Sequence, residues 1–464
     1  MADVRQEQPR QTAVWRPRAA MVPRARLPVP PAPGKPGEVW PVLPQPSEWR
    51  ASFPLPTWMA ALDQVASRPA QGLAIGIHLP LCAQRCAYCA HDVVATGDGS
   101  AVDRYLDALE IELELAASIL GTRRELLRLH VGGGTPNLLD DAQLGRLVER
   151  VERHFRWPAD AESSIDCDPR RSSRAQLALL RALGFRHLRF GMADLDPGVQ
   201  AGSGRLQSRA LVAEAVLAAQ QAGFDSVALD LVCGLPGQDT ARLAATLEAL
   251  QRIGPDRIRC LRYVHDPARY PGQRAVPCDA VSLAAEVDAA FAFAARALQA
   301  AGYLPVGDGW FVLDGDPWLE ARATGTLRRW LHGYASGSAA DTLGFGPGRI
   351  SAAGAVLARN EPLRGEWERR LRDGRLPVVA AHHRGALEAR LHAAADHLFA
   401  YHELPRALLG DGLEAIWDAI GAHAADGWVA RAPDRLRVTA EGCGHLPELA
   451  RPLVARAARP LQPA

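Results

Sequence analysis

The 464-residue sequence predicts an α/β fold built on a parallel sheet, and three observations carry that prediction. Six short apolar runs recur between residues 74 and 263, segments of helical period separate them, and none of the runs approaches the roughly 18 apolar residues of a membrane span. Strand followed by helix, repeated six times, implies parallel strands joined by crossovers, either as a curved partial barrel or as an open doubly wound sheet. At roughly 100 to 200 residues per domain, the length leaves room for more than that sheet.

Residues 1–56 hold 13 of the 35 prolines and few paired apolar positions, so they read as an extended or disordered leader. Periodicity begins near Trp58. The expected strands are 74–79, 126–131, 163–168, 187–192, 227–232 and 258–263, and the expected helices are 102–120, 141–155, 174–183, 208–222 and 240–253. Functional groups should then gather at the C-terminal ends of the strands. A long helix is expected at 280–301, after which GYASGSAADTLGFGPG (333–348) reads as Gly-rich loops. From about 383 the pattern is helical, and two alternating runs then flank Ala432-Pro433-Asp434 within 426–442. The expected division is a leader at 1–56, a catalytic domain at 57–380 and a C-terminal helical, winged-helix-like domain at 381–464 that packs on the sheet.

Charge and composition narrow the chemistry. Fifty-three basic residues against 52 acidic ones leave a formal charge of +1, so no broad field points to nucleic acid or to an anionic membrane. Lys35, in the leader, is the sole lysine. A P-loop, a pyridoxal Schiff base and a kinase-type nucleotide site each need a lysine at a defined place, so all three are poor expectations. Without a membrane span or the apolar core of a signal peptide, the chain is expected to be cytoplasmic.

Eight cysteines are too few for a disulfide scaffold in so long a chain, yet Cys82, Cys86 and Cys89 crowd into C-x3-C-x2-C directly after the first strand. Three thiolates on one loop can hold three irons of a cubane and leave the fourth open to the amino and carboxylate groups of S-adenosylmethionine. Structural zinc is the alternative, with His91 or His78 as a fourth ligand. After the second strand, HVGGGTPNLL (130–139) would let backbone approach a ligand closely, and Tyr88 offers a face for adenine.

With these motifs and DLVCGLPGQ (230–238), the sequence resembles the radical S-adenosylmethionine superfamily, and more narrowly the oxygen-independent coproporphyrinogen III oxidases. The narrower likeness runs from about Ile75 to the C-terminus through HLP before the cysteines, DPR (168–170), YVHDP (263–267) and Gly333-Tyr334. It implies a partial (β/α)6 parallel barrel of radical SAM type, a 4Fe-4S cluster on Cys82, Cys86 and Cys89, and a first S-adenosylmethionine held at Gly133, Asp166 and Ile350. A second S-adenosylmethionine would fall at Tyr88, Gly134, Thr135, Ala193, Arg205, Asp230 and Val264.

Departures from the family pattern collect on the substrate side. Asp166 replaces a glutamate, Ala193 a glutamine and Gly76, a further cofactor-site position, a tyrosine. Leu331 and His332 replace phenylalanine and glutamine, and His91 replaces a fourth, non-ligating cysteine. The implied activity is oxidative decarboxylation of two propionates of coproporphyrinogen III to vinyl groups in heme synthesis, by a monomer that draws on an electron donor and an acceptor. A paralogous heme-binding carrier, with His332 or His265 as ligand, or another tetrapyrrole-modifying radical enzyme is the alternative.

Overall fold

The computed structural model describes Trp49 and residues 55–457, apart from 92, 123, 278–280 and 339–340. The proline-rich leader, Lys35 included, therefore lies almost wholly outside the described residues.

Six parallel strands form the centre: β1 (Leu73–Leu79), β2 (Arg124–Gly133), β3 (Glu162–Cys167), β4 (His187–Ala193), β5 (Ser226–Cys233) and β6 (Arg257–Arg262). Each lies beside its predecessor in the sheet. Alternation explains why these segments become strands with two unlike faces. Leu73, Ile75, Ile77 and Leu79 of β1, Leu188, Phe190 and Met192 of β4, and Ile258 and Cys260 of β6 are buried in the apolar core. The helices Gly99–Leu120, Asp141–His154, Arg174–Ala182, Arg209–Gln221 and Thr240–Ile253 contribute their apolar faces to the same core. The intervening residues are polar or small: Gly76 and His78, His130, Ser164 and Asp166, His187 and Arg189, Ser226 and Asp230, Arg257 and Arg259. That second face is the interior of the sheet's curve.

The Gly-rich stretch does not read through as loop. Asp341–Phe345 is a seventh parallel strand, paired with β1 from Leu73↔Asp341 to Ile77↔Phe345. Its glycine meets tight quarters, because a Cβ at Gly344 would overlap the Ile350 carbonyl. Antiparallel strands finish both ends: Trp310–Val312 and Leu304–Gly307 beyond β6, and Ile350–Ala353, Val356–Asn360 and Val378–His383 beyond the seventh strand. No ladder joins the two ends among the described residues, so the barrel is partial.

The C-terminal region is helical, with Ala386–Tyr401, Glu414–Gly421 and Leu446–Ala457 enclosing a second apolar core around Leu398, Trp417, Leu449 and Leu453. A three-stranded antiparallel ribbon, Glu403–Pro405, Arg435–Val438 and Val429–Arg431, lies with them, its hairpin turning at the expected Ala432-Pro433-Asp434. None of the described helices is long and apolar enough to cross a membrane.

Candidate active site

A cavity of about 350 Å³ opens where the C-terminal ends of β2 to β6 meet the loop after β1. Cys82, Cys86 and Cys89 line it from that loop, together with Tyr88 and His91. Two backbone hydrogen bonds seat the loop on the glycine turn, since Gly134 N–H donates to the Leu79 carbonyl at 2.8 Å and Thr135 N–H to that of Leu81 at 2.7 Å. Glycine is required at 133, where φ is +110° and a Cβ would overlap the His78 ring, and at 134, where it would overlap the Leu81 carbonyl.

Each of the three cysteine sulfurs accepts one hydrogen bond. The Thr135 hydroxyl donates to Cys82 Sγ at 3.3 Å, the Arg205 guanidinium to Cys86 Sγ at 3.5 Å and the His91 backbone N–H to Cys89 Sγ at 3.4 Å. Burial pushes the Cys82 thiol up and that of Cys89 up to about 11, so loading with metal would displace protons. Among the described residues no three His, Cys, Asp or Glu side chains converge on one point. A cubane takes one thiolate at each of three separate irons, and the three cysteines present that set to one cavity. The donor set therefore fits a 4Fe-4S cluster.

Charged side chains from the strand ends form the opposite wall. Arg189 on β4 bridges two carboxylates, at 2.6 Å from Asp166 on β3 and 3.5 Å from Asp230 on β5. Burial alone would raise Asp166, but Arg189 and His130 hold it well below the usual carboxylate range. Burial raises Asp230, and Arg189 and Arg259 only partly oppose it. Both carboxylates keep Oδ1 without a protein partner, so each offers one acceptor oxygen to a ligand. Arg205 is paired with Asp168 at 3.3 Å and also donates to the Gly191 carbonyl. Ala193 packs with Val199, Val232, Leu235 and Tyr263, with Tyr88 against them, in an apolar corner beside the cysteine loop.

The sequence-derived positions thus divide in two. Gly133, Gly134, Thr135, Asp166, Ala193, Arg205, Asp230 and Val264 line the same cavity as Tyr88 and the three cysteines. Gly76 and Ile350 do not: Gly76 lies against His332, and Ile350 packs beside Leu331 and Leu357. Sequence reasoning passed over Arg189, Arg259, Arg262 and Asp168, which also line the cavity. The signal for the first two was present, since in HLRFGM and IRCLRY an arginine stands between apolar residues at strand period.

A profile of the radical SAM superfamily matches residues 77–250, the span from β1 to the helix after β5. The oxygen-independent coproporphyrinogen III oxidase of Pseudomonas aeruginosa is 30% identical over 334 residues, which cover 72% of this chain and 73% of that one. The chain belongs to this family of radical SAM enzymes. Within the family, the Escherichia coli oxidase is 34% identical over 303 residues, 65% of this chain and 66% of that relative, so the match spans about two thirds of its length. The solved structure of E. coli coproporphyrinogen III oxidase (HemN), described as a radical SAM enzyme, superposes with a TM-score of 0.83 at 26% identity. That superposition covers 90% of this chain and 97% of the other, and so extends through the C-terminal helices.

Proposed function

We propose that this chain catalyses the oxygen-independent oxidative decarboxylation of coproporphyrinogen III to protoporphyrinogen IX in heme biosynthesis. The observation that carries the reading is one cavity holding three cysteines, each with a donor on its sulfur, opposite a wall of arginines and aspartates. A cluster on Cys82, Cys86 and Cys89 together with S-adenosylmethionine would supply the radical chemistry that removes a hydrogen atom from a propionate β-carbon. Loss of carbon dioxide and of one electron to an external acceptor would then leave a vinyl group.

The chain's own groups prepare that event. Cys82, Cys86 and Cys89 would hold the cluster, with Thr135, Arg205 and the His91 backbone donating to their sulfurs. The free Oδ1 atoms of Asp166 and Asp230 would accept hydrogen bonds from nucleoside hydroxyls, and Arg189 keeps both side chains in place. The apolar corner of Tyr88, Ala193, Val232 and Tyr263 keeps water from the reacting carbon. An alanine at 193 cannot hydrogen-bond to a second cofactor, so turnover is expected to be slow. We also read residues 57–380 as the catalytic domain and 381–464 as a winged-helix-like cover, a division supported by the two largest apolar cores, with a smaller cluster around Trp310, Trp318 and Ala400 spanning the boundary.

Anaerobic protein reconstituted with iron and sulfide should hold close to four irons per chain, and Cys82→Ala, Cys86→Ala or Cys89→Ala should abolish this while Cys443→Ala does not. Incubated with coproporphyrinogen III, S-adenosylmethionine, a reductant and an acceptor, it should form protoporphyrinogen IX in step with 5′-deoxyadenosine. Cleavage of S-adenosylmethionine with no porphyrin product, or tight heme binding in its place, would overturn the oxidase reading.

A further inference from the structure

Five arginines line the cavity, and four of them are committed. Arg85 donates to the Val93 carbonyl. Arg189 bridges Asp166 and Asp230, and Arg205 holds Asp168 and Cys86. Arg262 is paired with Asp288 at 2.8 Å, donates to the Gly444 carbonyl at 2.6 Å and lies over the Phe291 ring. Arg259 differs from the other four in that its guanidinium makes neither an ion pair nor a hydrogen bond with a described residue, and its Nε has no hydrogen-bond partner.

This guanidinium is not loose on a surface. It stands on β6, directly across from Asp230 on β5 and from Trp310 on the antiparallel edge strand, with its Cζ 5.4 Å from the Trp310 ring centroid. The neighbours Ile258 and Cys260 are locked into the outer core, so the backbone cannot turn Arg259 away from the barrel interior. Burial and the nearby Arg189 cation both disfavour its charge, and Asp230, Asp308 and Asp166 offset them only in part. An unpaired cation held deep in a protein is costly unless a partner arrives. Arg349, which bonds to His332, is a further interior arginine. Asp166 and Asp230 are already bridged by Arg189, which leaves Arg259 without a carboxylate in ion-pair contact.

We propose that Arg259 is a substrate anchor that receives a carboxylate of the ligand in this cavity, namely a propionate of the tetrapyrrole. The inference rests on the oxidase reading and names one of the groups that would select a tetracarboxylate. A planar guanidinium pairs with a carboxylate through two parallel hydrogen bonds, which lysine cannot reproduce. The amino-acid end of S-adenosylmethionine carries the other carboxylate that can enter the cavity, so the test must separate the two.

The experiment uses the full, reconstituted chain with Arg259→Gln and Arg259→Lys. Iron content and circular dichroism check that each variant is folded and loaded. Direct binding is read with coproporphyrin III, the fluorescent oxidised form of the substrate, and turnover with coproporphyrinogen III. In Arg259→Gln, the Kd for coproporphyrin III and the KM for coproporphyrinogen III should rise about tenfold to a hundredfold. The KM for S-adenosylmethionine should move by less than about twofold. Arg259→Lys should recover part of the loss. Unchanged porphyrin affinity in Arg259→Gln overturns the anchor while leaving the oxidase reading standing. A larger effect on S-adenosylmethionine than on porphyrin also overturns it, by handing Arg259 to the cofactor. A wild-type chain that binds coproporphyrin III but does not convert it sinks the oxidase reading alone.

Discussion

At Gly76 the absent side chain and a distant histidine explain each other. A Cβ there would overlap Nε2 of His332, whose ring stacks on His130 at 4.4 Å between centroids and meets the edge of Trp330 at 4.9 Å. Arg349 donates to the same ring at 3.2 Å, and burial holds the imidazole well below its usual range, so it sits neutral in the barrel. Two of the departures from the family pattern, at 76 and 332, are therefore a single change of packing. Gly76→Tyr alone should cost about 1 to 3 kcal/mol by overpacking. In combination with His332→Ala, much of that loss should be regained. Thermal unfolding of the two single variants and the double variant measures the coupling, and strictly additive effects would show that the residues do not share space.

The helix Gly99–Leu120 is tied to the strands beyond β1 by one carboxylate. Glu112 accepts from Gly346 N–H at 2.8 Å, Asn360 Nδ2 at 2.6 Å and Trp367 Nε1 at 3.0 Å, and all four residues are buried or nearly so. Burial pushes its carboxyl up to about 7, against the three donors that favour the charged form. The folded chain therefore keeps a proton between pH 4.5 and 7 that the unfolded chain releases, so this group's contribution falls as pH rises through that window. Its full extent is about 3 kcal/mol. Thermal midpoints at pH 5 and pH 8 should fall more steeply in wild type than in Glu112→Gln. The variant should also be less stable at pH 5 by about 1 to 3 kcal/mol, because its amide would face the Asn360 donor. An identical pH slope in both proteins would contradict the assignment.

Across the whole molecule, the C-terminal helices are fastened to the barrel by buried arginines. Arg329 lies between Asp308, at the turn joining Leu304–Gly307 to Trp310–Val312, and Asp396 on Ala386–Tyr401 at 2.9 Å, over the Phe399 ring. Arg322 donates to the Ala400 carbonyl at 3.0 Å, and the Tyr401 hydroxyl to that of Leu327 at 2.8 Å. Removing one partner of a buried pair leaves the other charge stranded, so Arg329→Met should destabilise the chain by roughly 3 to 5 kcal/mol. Limited proteolysis should then cut first near Arg384, where the barrel strands give way to the C-terminal helices. Cleavage at the wild-type rate would mean that apolar contacts alone hold the region.

The six central strands, their helices and the cysteine loop were legible because each rests on local information: period-two alternation, period-3.6 faces and a fixed thiol spacing. The seventh strand was not, because DTLGF spends a glycine where backbone crowds it, and glycine in isolation reads as a turn. In the same way HLRFGM shows that Arg189 and Phe190 face opposite sides, but not which side is the interior. Only the closing curve of the sheet decides that, by gathering arginines and aspartates from four separate strands onto one cavity wall. Local sequence determined the elements and the chemistry of the cysteine loop. Tertiary structure decided that Arg189 bridges Asp166 and Asp230, that His332 fills the space above Gly76 and that Arg259 is left without an anion, because contacts between residues far apart in sequence exist only once the strands are side by side.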